Sequence, residues 1–167
     1  MKRALLLMLI SAAALPASVL LSFDPPGANL VGHAGDTVTW NFELQNNANW
    51  LLIDAVDYQT LTPVGTYNDL FTPVAPEIGP TDTVPGQGSY AIDPPAPPFL
   101  STGFLIVTYD EFSQDPATDP DPSSHQIGFG ETVSAAASVQ VVGPEPSTLL
   151  LLAPVGLWML VRRRRLG

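Results

Sequence analysis

Between Ser18 and Val142, apolar and polar positions alternate in short runs, the two-residue period of strands with one dry face. The same stretch never sustains the three-to-four spacing of a helix. The clearest run is Thr37 to Leu44, where Val38, Trp40, Phe42 and Leu44 alternate with Thr37, Thr39, Asn41 and Glu43. Gly35-Asp36 opens it, Asn46-Asn47 closes it, and its phase assigns Trp40 to the core. Ser18 to Phe23 predicts an earlier strand, ended by Asp24-Pro25-Pro26-Gly27. Trp50 to Tyr58 predicts another, whose imperfect alternation points to a bulge.

From Gly65 to Gly88 the pattern is interrupted, because Pro73, Pro76, Pro80 and Pro85 prevent a continuous ladder of hydrogen bonds. Short strands are expected at Thr66 to Phe71 and Ser89 to Ile92, followed by an extended connector from Asp93 to Pro98. Gly103 to Tyr109 is apolar on both faces and predicts a central strand. His125 to Phe129 reads as an edge strand and Ser134 to Val142 as the last one. No repeat of fixed period is visible, which argues against a solenoid or a propeller. About seven short strands with Gly, Pro and Asn punctuation predict an all-β fold, an antiparallel β-sandwich that is immunoglobulin-like in general plan, over residues 18–142.

The two ends break this pattern. Met1-Lys2-Arg3 is basic and Ala4 to Leu15 apolar, the build of a secretory signal peptide over residues 1–17, with cleavage after Ala14 or Ala17. At the other end, Pro144-Glu145-Pro146 favours extended backbone and leads into the apolar segment 147–161. As a helix that segment is about 22 Å long, short of a bilayer core of about 30 Å, and Pro154 weakens it in the middle. Arg162, Arg163, Arg164 and Arg165 follow, able to snorkel to the interface and to hold the C-terminus on the cytoplasmic side.

This order of Pro144-Glu145-Pro146, apolar segment and arginine cluster resembles the PEP-CTERM sorting signal of exported bacterial proteins, over residues 143–167. The resemblance implies that an exosortase, an integral-membrane cysteine protease, recognises Pro144, Glu145 and Pro146 and cuts near them. It further implies passage through the export machinery, an inner-membrane stage held by the C-terminal helix, and a final place at the cell surface or outside the cell. The same residues also suit a simple tail anchor in which the arginine cluster stops transfer. In the middle region, Gly35-Asp36-Thr37-Val38-Thr39-Trp40, Tyr67-Asn68-Asp69-Leu70-Phe71 and Thr108-Tyr109-Asp110-Glu111-Phe112-Ser113 are similar to stretches in a recurrent group of exported PEP-CTERM proteins of unknown function. No activity comes with that likeness.

Charge is segregated along the chain. All six Lys and Arg lie in the terminal segments, as Lys2, Arg3 and Arg162 to Arg165, while all sixteen Asp and Glu lie between Asp24 and Glu145. The exported part therefore carries no strong base, which excludes nucleic acid as a partner and disfavours anionic lipid. Cysteine is absent, so neither a disulfide framework nor a thiolate metal site is available, and the domain must close on its apolar core.

Candidate chemistry is sparse. The two histidines, His33 and His125, have no serine in a nucleophile-elbow context, and thiol and lysine nucleophiles are missing from residues 18–142. Acids are plentiful, but nothing singles out a glycosidase pair. One local cluster, Asp110, Glu111, Asp115, Asp119 and Asp121, could offer hard oxygen ligands to a structural calcium ion, with Asp36 or Asp69 joining only if the fold brings them near. The Asp-Pro pairs in the same stretch suit a solvated, turn-rich loop equally well. Trp50, beside an Asn-rich turn, is a candidate platform for a sugar ring, against the alternative of a half-buried strand-end residue.

The expected role is that of an exported, exosortase-sorted surface or matrix protein, non-enzymatic, structural or adhesive, with no cofactor other than possible calcium. The competing expectation is a surface binding module for glycan, for calcium or for ice, with extracellular polysaccharide as the natural glycan. A regular Thr-rich face for ice is missing from the sequence.

Overall fold

The alternation read from Thr37 to Leu44 becomes the division between inside and outside. The computed structural model describes residues 19–143 apart from 25, 48, 75 and 76. The expected signal peptide, the expected sorting motif Pro144 to Pro146, the apolar segment 147–161 and Arg162 to Arg165 lie outside the described residues. Among the described residues no helix is long and apolar enough to cross a membrane.

The strands are β1 (Val19–Phe23), β2 (Asn29–His33), β3 (Thr37–Asn46), β4 (Trp50–Thr60), β5 (Gly65–Asp69), β6 (Glu77–Ile78), β7 (Thr83–Ile92), β8 (Phe99–Phe112) and β9 (Gln126–Val142). A 3-10 turn, Pro122–Ser124, lies in the β8–β9 connection. One sheet has the order β1-β3-β7-β5 and the other β2-β9-β8-β4-β6. The all-β, two-sheet expectation therefore holds, and so does the central position of β8, which has β4 on one flank and β9 on the other.

Between the sheets, Trp40, Phe42 and Leu44 of β3 and Tyr90 and Ile92 of β7 meet Leu51, Ile53, Val56 and Tyr58 of β4, Leu105 and Val107 of β8, and Val139 and Val141 of β9. Trp40 is only 2% exposed, as its phase predicted. Its ring lies 4.9 Å from that of Tyr58 and 6.0 Å from that of Tyr90, and its Nε1 donates to Ala28 O at 3.0 Å. The polar tips of this cluster are satisfied as well. Tyr58 Oη donates to Ser101 O at 3.2 Å, and Tyr90 Oη accepts from Val64 N at 3.1 Å. Space for the rings comes from β7, where Gly86 faces Phe42 across the ladder. A Cβ on Gly86 would stand 2.3 Å from the Phe42 ring.

Four details depart from the sequence reading. First, β7 begins at Thr83 and runs through Pro85, where interruption was expected. Pro85 pairs with Glu43, but β5 ends opposite Gly88, so only one flank of β7 is paired at that point and the missing N–H is tolerated. Second, His125 to Phe129 and Ser134 to Val142 belong to one strand, β9, and β9 is not an edge. Their apparent separation is a bulge: Gly130 takes φ +61° while Tyr109 pairs with Glu131 and Glu111 with Gly128, which leaves β9 one residue longer over that interval. Third, β2 had no counterpart in the pattern because its residues, Asn-Leu-Val-Gly-His, alternate weakly. Fourth, the sandwich is not wholly antiparallel, since β2 pairs parallel with β9. The two strands are far apart in sequence, so no hairpin dictates their sense.

The bulge expected in β4 is present. The register shifts between Ile53 and Ala55, Asp54 and Ala55 are both exposed, and the buried phase resumes at Val56.

Candidate functional site

The five acids of the proposed calcium cluster lie around one end of the sandwich but do not converge. Asp110 is 8% exposed, and its two oxygens accept from Gln126 Nε2 and Gly130 N, each at 2.8 Å. Glu111 accepts from Asn49 Nδ2 at 2.7 Å. Asp115 Oδ1 accepts from Ala117 N at 2.9 Å, Asp119 Oδ2 meets His125 Nδ1 at 2.5 Å, and Asp121 Oδ1 accepts from Ser123 Oγ at 2.8 Å. Among the described residues no group of three or more His, Cys, Asp or Glu side chains is placed to hold a metal ion. Asp36 and Asp69 stand apart from the loop acids. Asp36 Oδ2 accepts from His33 N at 2.8 Å, and Asp69 serves the amides of Val56, Phe71 and Thr72.

Several of these carboxylates act on the backbone. Asp110 meets the N–H of Gly130 inside the β9 bulge, and Asp69 meets the N–H of Val56 just after the β4 bulge, at 3.3 Å. A bulge frees an amide from its ladder, and a carboxylate gives that amide a charge-assisted acceptor. The chemistry of Asp110 and Asp69 is structural at these positions.

Two acids that the sequence did not single out complete carboxyl pairs. Asp54, on the β4 bulge, is pushed above its usual value by partial burial and by the charge and hydrogen bond of Asp110. Glu77 on β6 is pushed up by burial and by its hydrogen bond with Asp115, whose own value is lowered chiefly by that same bond. Strand pairing brings Asp54 to Asp110, and the β8–β9 connection brings Asp115 to Glu77, so no local spacing could have found either pair. Each pair is in direct hydrogen-bonding contact. Glycosidase carboxyls flank a bond at a separation of about 5 Å or more, and carboxyls in contact leave no room for a sugar between them.

Nor does His125 form a relay. Ser124 Oγ, at 3.3 Å, and Asp119 Oδ2, at 2.5 Å, approach the same ring nitrogen, Nδ1, whereas a nucleophile and an orienting acid need opposite nitrogens. Trp50 opens β4 opposite Phe112 and is half-buried. Gly79 lies against its ring, where an added Cβ would come within 3.4 Å of Cζ3.

A broad concavity lies elsewhere, on the outer face of the five-stranded sheet. It encloses about 790 Å³ and is floored by Phe104, Gly103, Ala136 and Ala137, with Asn29, Gln59 and Ser138 around it. No charged side chain lines it.

No protein-family profile and no curated protein sequence matches the chain. Among solved structures, the ASH / PapD-like domain of human CEP192 (PapD-like domain 7) aligns at TM-score 0.50 and 11% identity, over 86% of this chain and 100% of that one. WR4, a C. elegans MSP family member, aligns at TM-score 0.40 and 14% identity, over 75% and 98%. A family 123 glycoside hydrolase from Clostridium perfringens aligns at TM-score 0.41 and 14% identity, over 78% of this chain and 29% of that one. The first of these likenesses supports the immunoglobulin-like, two-sheet fold and nothing finer.

Proposed function

We propose that this chain is an exported, exosortase-sorted protein of the cell surface or extracellular matrix, and that its sandwich is a non-enzymatic structural or adhesive module. The observation that carries this reading is the separation of charge. Every Lys and Arg lies in a terminal segment that suits export or sorting, and the sandwich between them carries every Asp and Glu except Glu145, with only His33 and His125 as bases. A uniformly negative module stays soluble and repels its own kind and nucleic acid. Contact with another surface then falls to its uncharged parts, and the outer face of the five-stranded sheet supplies these in Val31, Leu100 and Phe104, all about half exposed.

In this reading the chain passes the inner membrane with its C-terminus in the cytoplasm and is cut near Pro144 to Pro146. The intact mass and cell fraction of the mature protein, in hosts with and without the sorting protease, test it. A C-terminus near Pro144 to Thr148 that depends on the protease supports it. Retention of Arg162 to Arg165 in a competent host would replace sorting by a simple tail anchor.

The second reading, a surface binding module, is favoured for glycan by the neutral groove around Phe104. Calcium finds its five candidate acids already divided among separate partners. Ice finds no regular array of threonines, because the outward positions of β3 and β7 mix Thr37, Thr39 and Thr83 with Asn41, Glu43, Pro85 and Gln87.

A further inference from the structure

We infer that the groove on the outer face of the five-stranded sheet is a binding site for a neutral polysaccharide, with Phe104 as the platform for a sugar ring. This deepens the surface-module reading and rests on it for biological context, although the site itself is argued from its own chemistry. Across the sheet, Gln59, Phe104 and Ala136 are ladder partners, one on each of β4, β8 and β9, and the neighbouring row is Thr102, Ser138 and Asn29. The first row puts a ring that is 53% exposed beside a small residue and an amide. The second is entirely hydroxyl and amide. Leu61, 99% exposed, stands at the rim after β4.

Three properties select the ligand. The groove has no charge in a domain with no Lys or Arg, so an anionic ligand gains nothing there and is opposed by the surrounding acids. Its polar groups are placed to face outward. Ser138 Oγ donates to Asn29 Oδ1 at 3.0 Å, which leaves the Asn29 amide N–H groups for a ligand, and Gln59 is exposed. Its floor strands are paired on both flanks, β8 between β4 and β9, and β9 between β8 and β2. An extended peptide binds a sheet by adding to a free edge, and the free flanks here, of β2 at Asn29 and of β4 at Gln59–Thr60, lie at the borders of the groove and not beneath Phe104.

Over the floor around Phe104 recognition falls to side chains, through an apolar ring face and a border of neutral donors and acceptors. A sugar ring has that complement, with C–H groups on one face and hydroxyls around the edge. The volume of about 790 Å³ also falls within the range of small-molecule sites and accommodates a short run of sugar units.

The test is retention of the purified full chain on cellulose and on a neutral mannan, with polygalacturonate as the acidic control. The wild type should be retained on at least one neutral polymer and not on polygalacturonate. Phe104→Ala should reduce retention at least tenfold and Phe104→Trp should preserve it, while Trp50→Ala should leave it unchanged. Phe104 is half exposed, so its replacement leaves the core intact, and an unchanged melting temperature checks this. Absence of binding to both neutral polymers overturns the site, as does equal retention of Phe104→Ala. Concentration-dependent dimerisation of the wild type that Phe104→Ala abolishes, without sugar binding, assigns the face to a second copy and also overturns it. The assay requires no processing, so it can fail while the sorting experiment succeeds, and the reverse.

Discussion

The two solvent-facing surfaces of the sandwich obey the same period-two rule and end up chemically different. On the four-stranded sheet the outward positions of β3 and β7 are polar apart from Pro85 and Ala91, and Gln87 Nε2 donates to Asn41 Oδ1 across the strands at 2.9 Å. On the five-stranded sheet the outward positions include Val31, Leu100, Phe104 and Ala136. Water-compatible side chains suffice to close the first face. Apolar side chains left exposed on the second contribute little to the fold, and their grouping is better explained by contact with something else.

The comparison presumes that both faces hang on one core, and Trp40 is where that can be broken most severely. Trp40→Ala removes the ring shared with Tyr58 and Tyr90 and leaves Ala28 O without its donor. A loss of about 3–5 kcal/mol is expected, in one cooperative transition by chemical denaturation. Two transitions, one for each sheet, would contradict a shared core.

Next in size is a change confined to the five-stranded sheet. Gly103 lies so close to β4 that a Cβ would sit 2.1 Å from the backbone oxygen of Gln59. Gly103→Ala should cost about 1–3 kcal/mol and lower polysaccharide retention, because Phe104 and Gln59 flank the displaced backbone. Gln87→Ala on the opposite face should stay within about 0.5 kcal/mol and leave retention unchanged. Equal effects from the two substitutions would remove the contrast between the faces.

A smaller effect is expected at the acidic end. The Asp54 value in the folded protein is raised above the usual 3.8, so the native state binds this proton more tightly than the unfolded chain. Its contribution to stability is complete below about pH 3.8 and is lost as pH rises through the folded value. Asp54→Asn should therefore raise Tm at pH 7 by no more than a few degrees, and the gain should vanish in acid. A gain that persists at pH 3 would point to a cause other than the Asp54–Asp110 pair. Smallest of all, millimolar calcium should leave Tm nearly unchanged, because Asp110, Glu111, Asp115, Asp119 and Asp121 have separate partners. A rise of several degrees that EDTA reverses would restore the loop as a calcium site.

Much of the fold was legible where a strand has one wet face. β3 and the bulge in β4 could be read directly, and the centrality of β8 followed from its two apolar faces. Legibility failed where pairing, not composition, decides the outcome. Pro85 lies within β7 because β5 stops short of it, and Gly130 continues β9 as a bulge instead of ending it. The site was less legible still. Asp54 becomes a partner of Asp110 through strand registry and Glu77 of Asp115 through the path of the β8–β9 connection, and Phe104 looked like one more residue of a buried strand.

By itself the sequence determined the all-β class, the inward phase that buries Trp40, the acidic character of the region between the ends and the expectation of a sorting signal at the C-terminal end. These are local properties, carried by a period, a charge count or a short motif. Only the tertiary structure decided which acids stand next to one another, that β2 joins β9 in parallel, and that Gln59, Phe104, Ala136 and Asn29 share one face. The reason is physical. A strand fixes the direction of its side chains, but their neighbours are fixed by the register of strands distant in the chain.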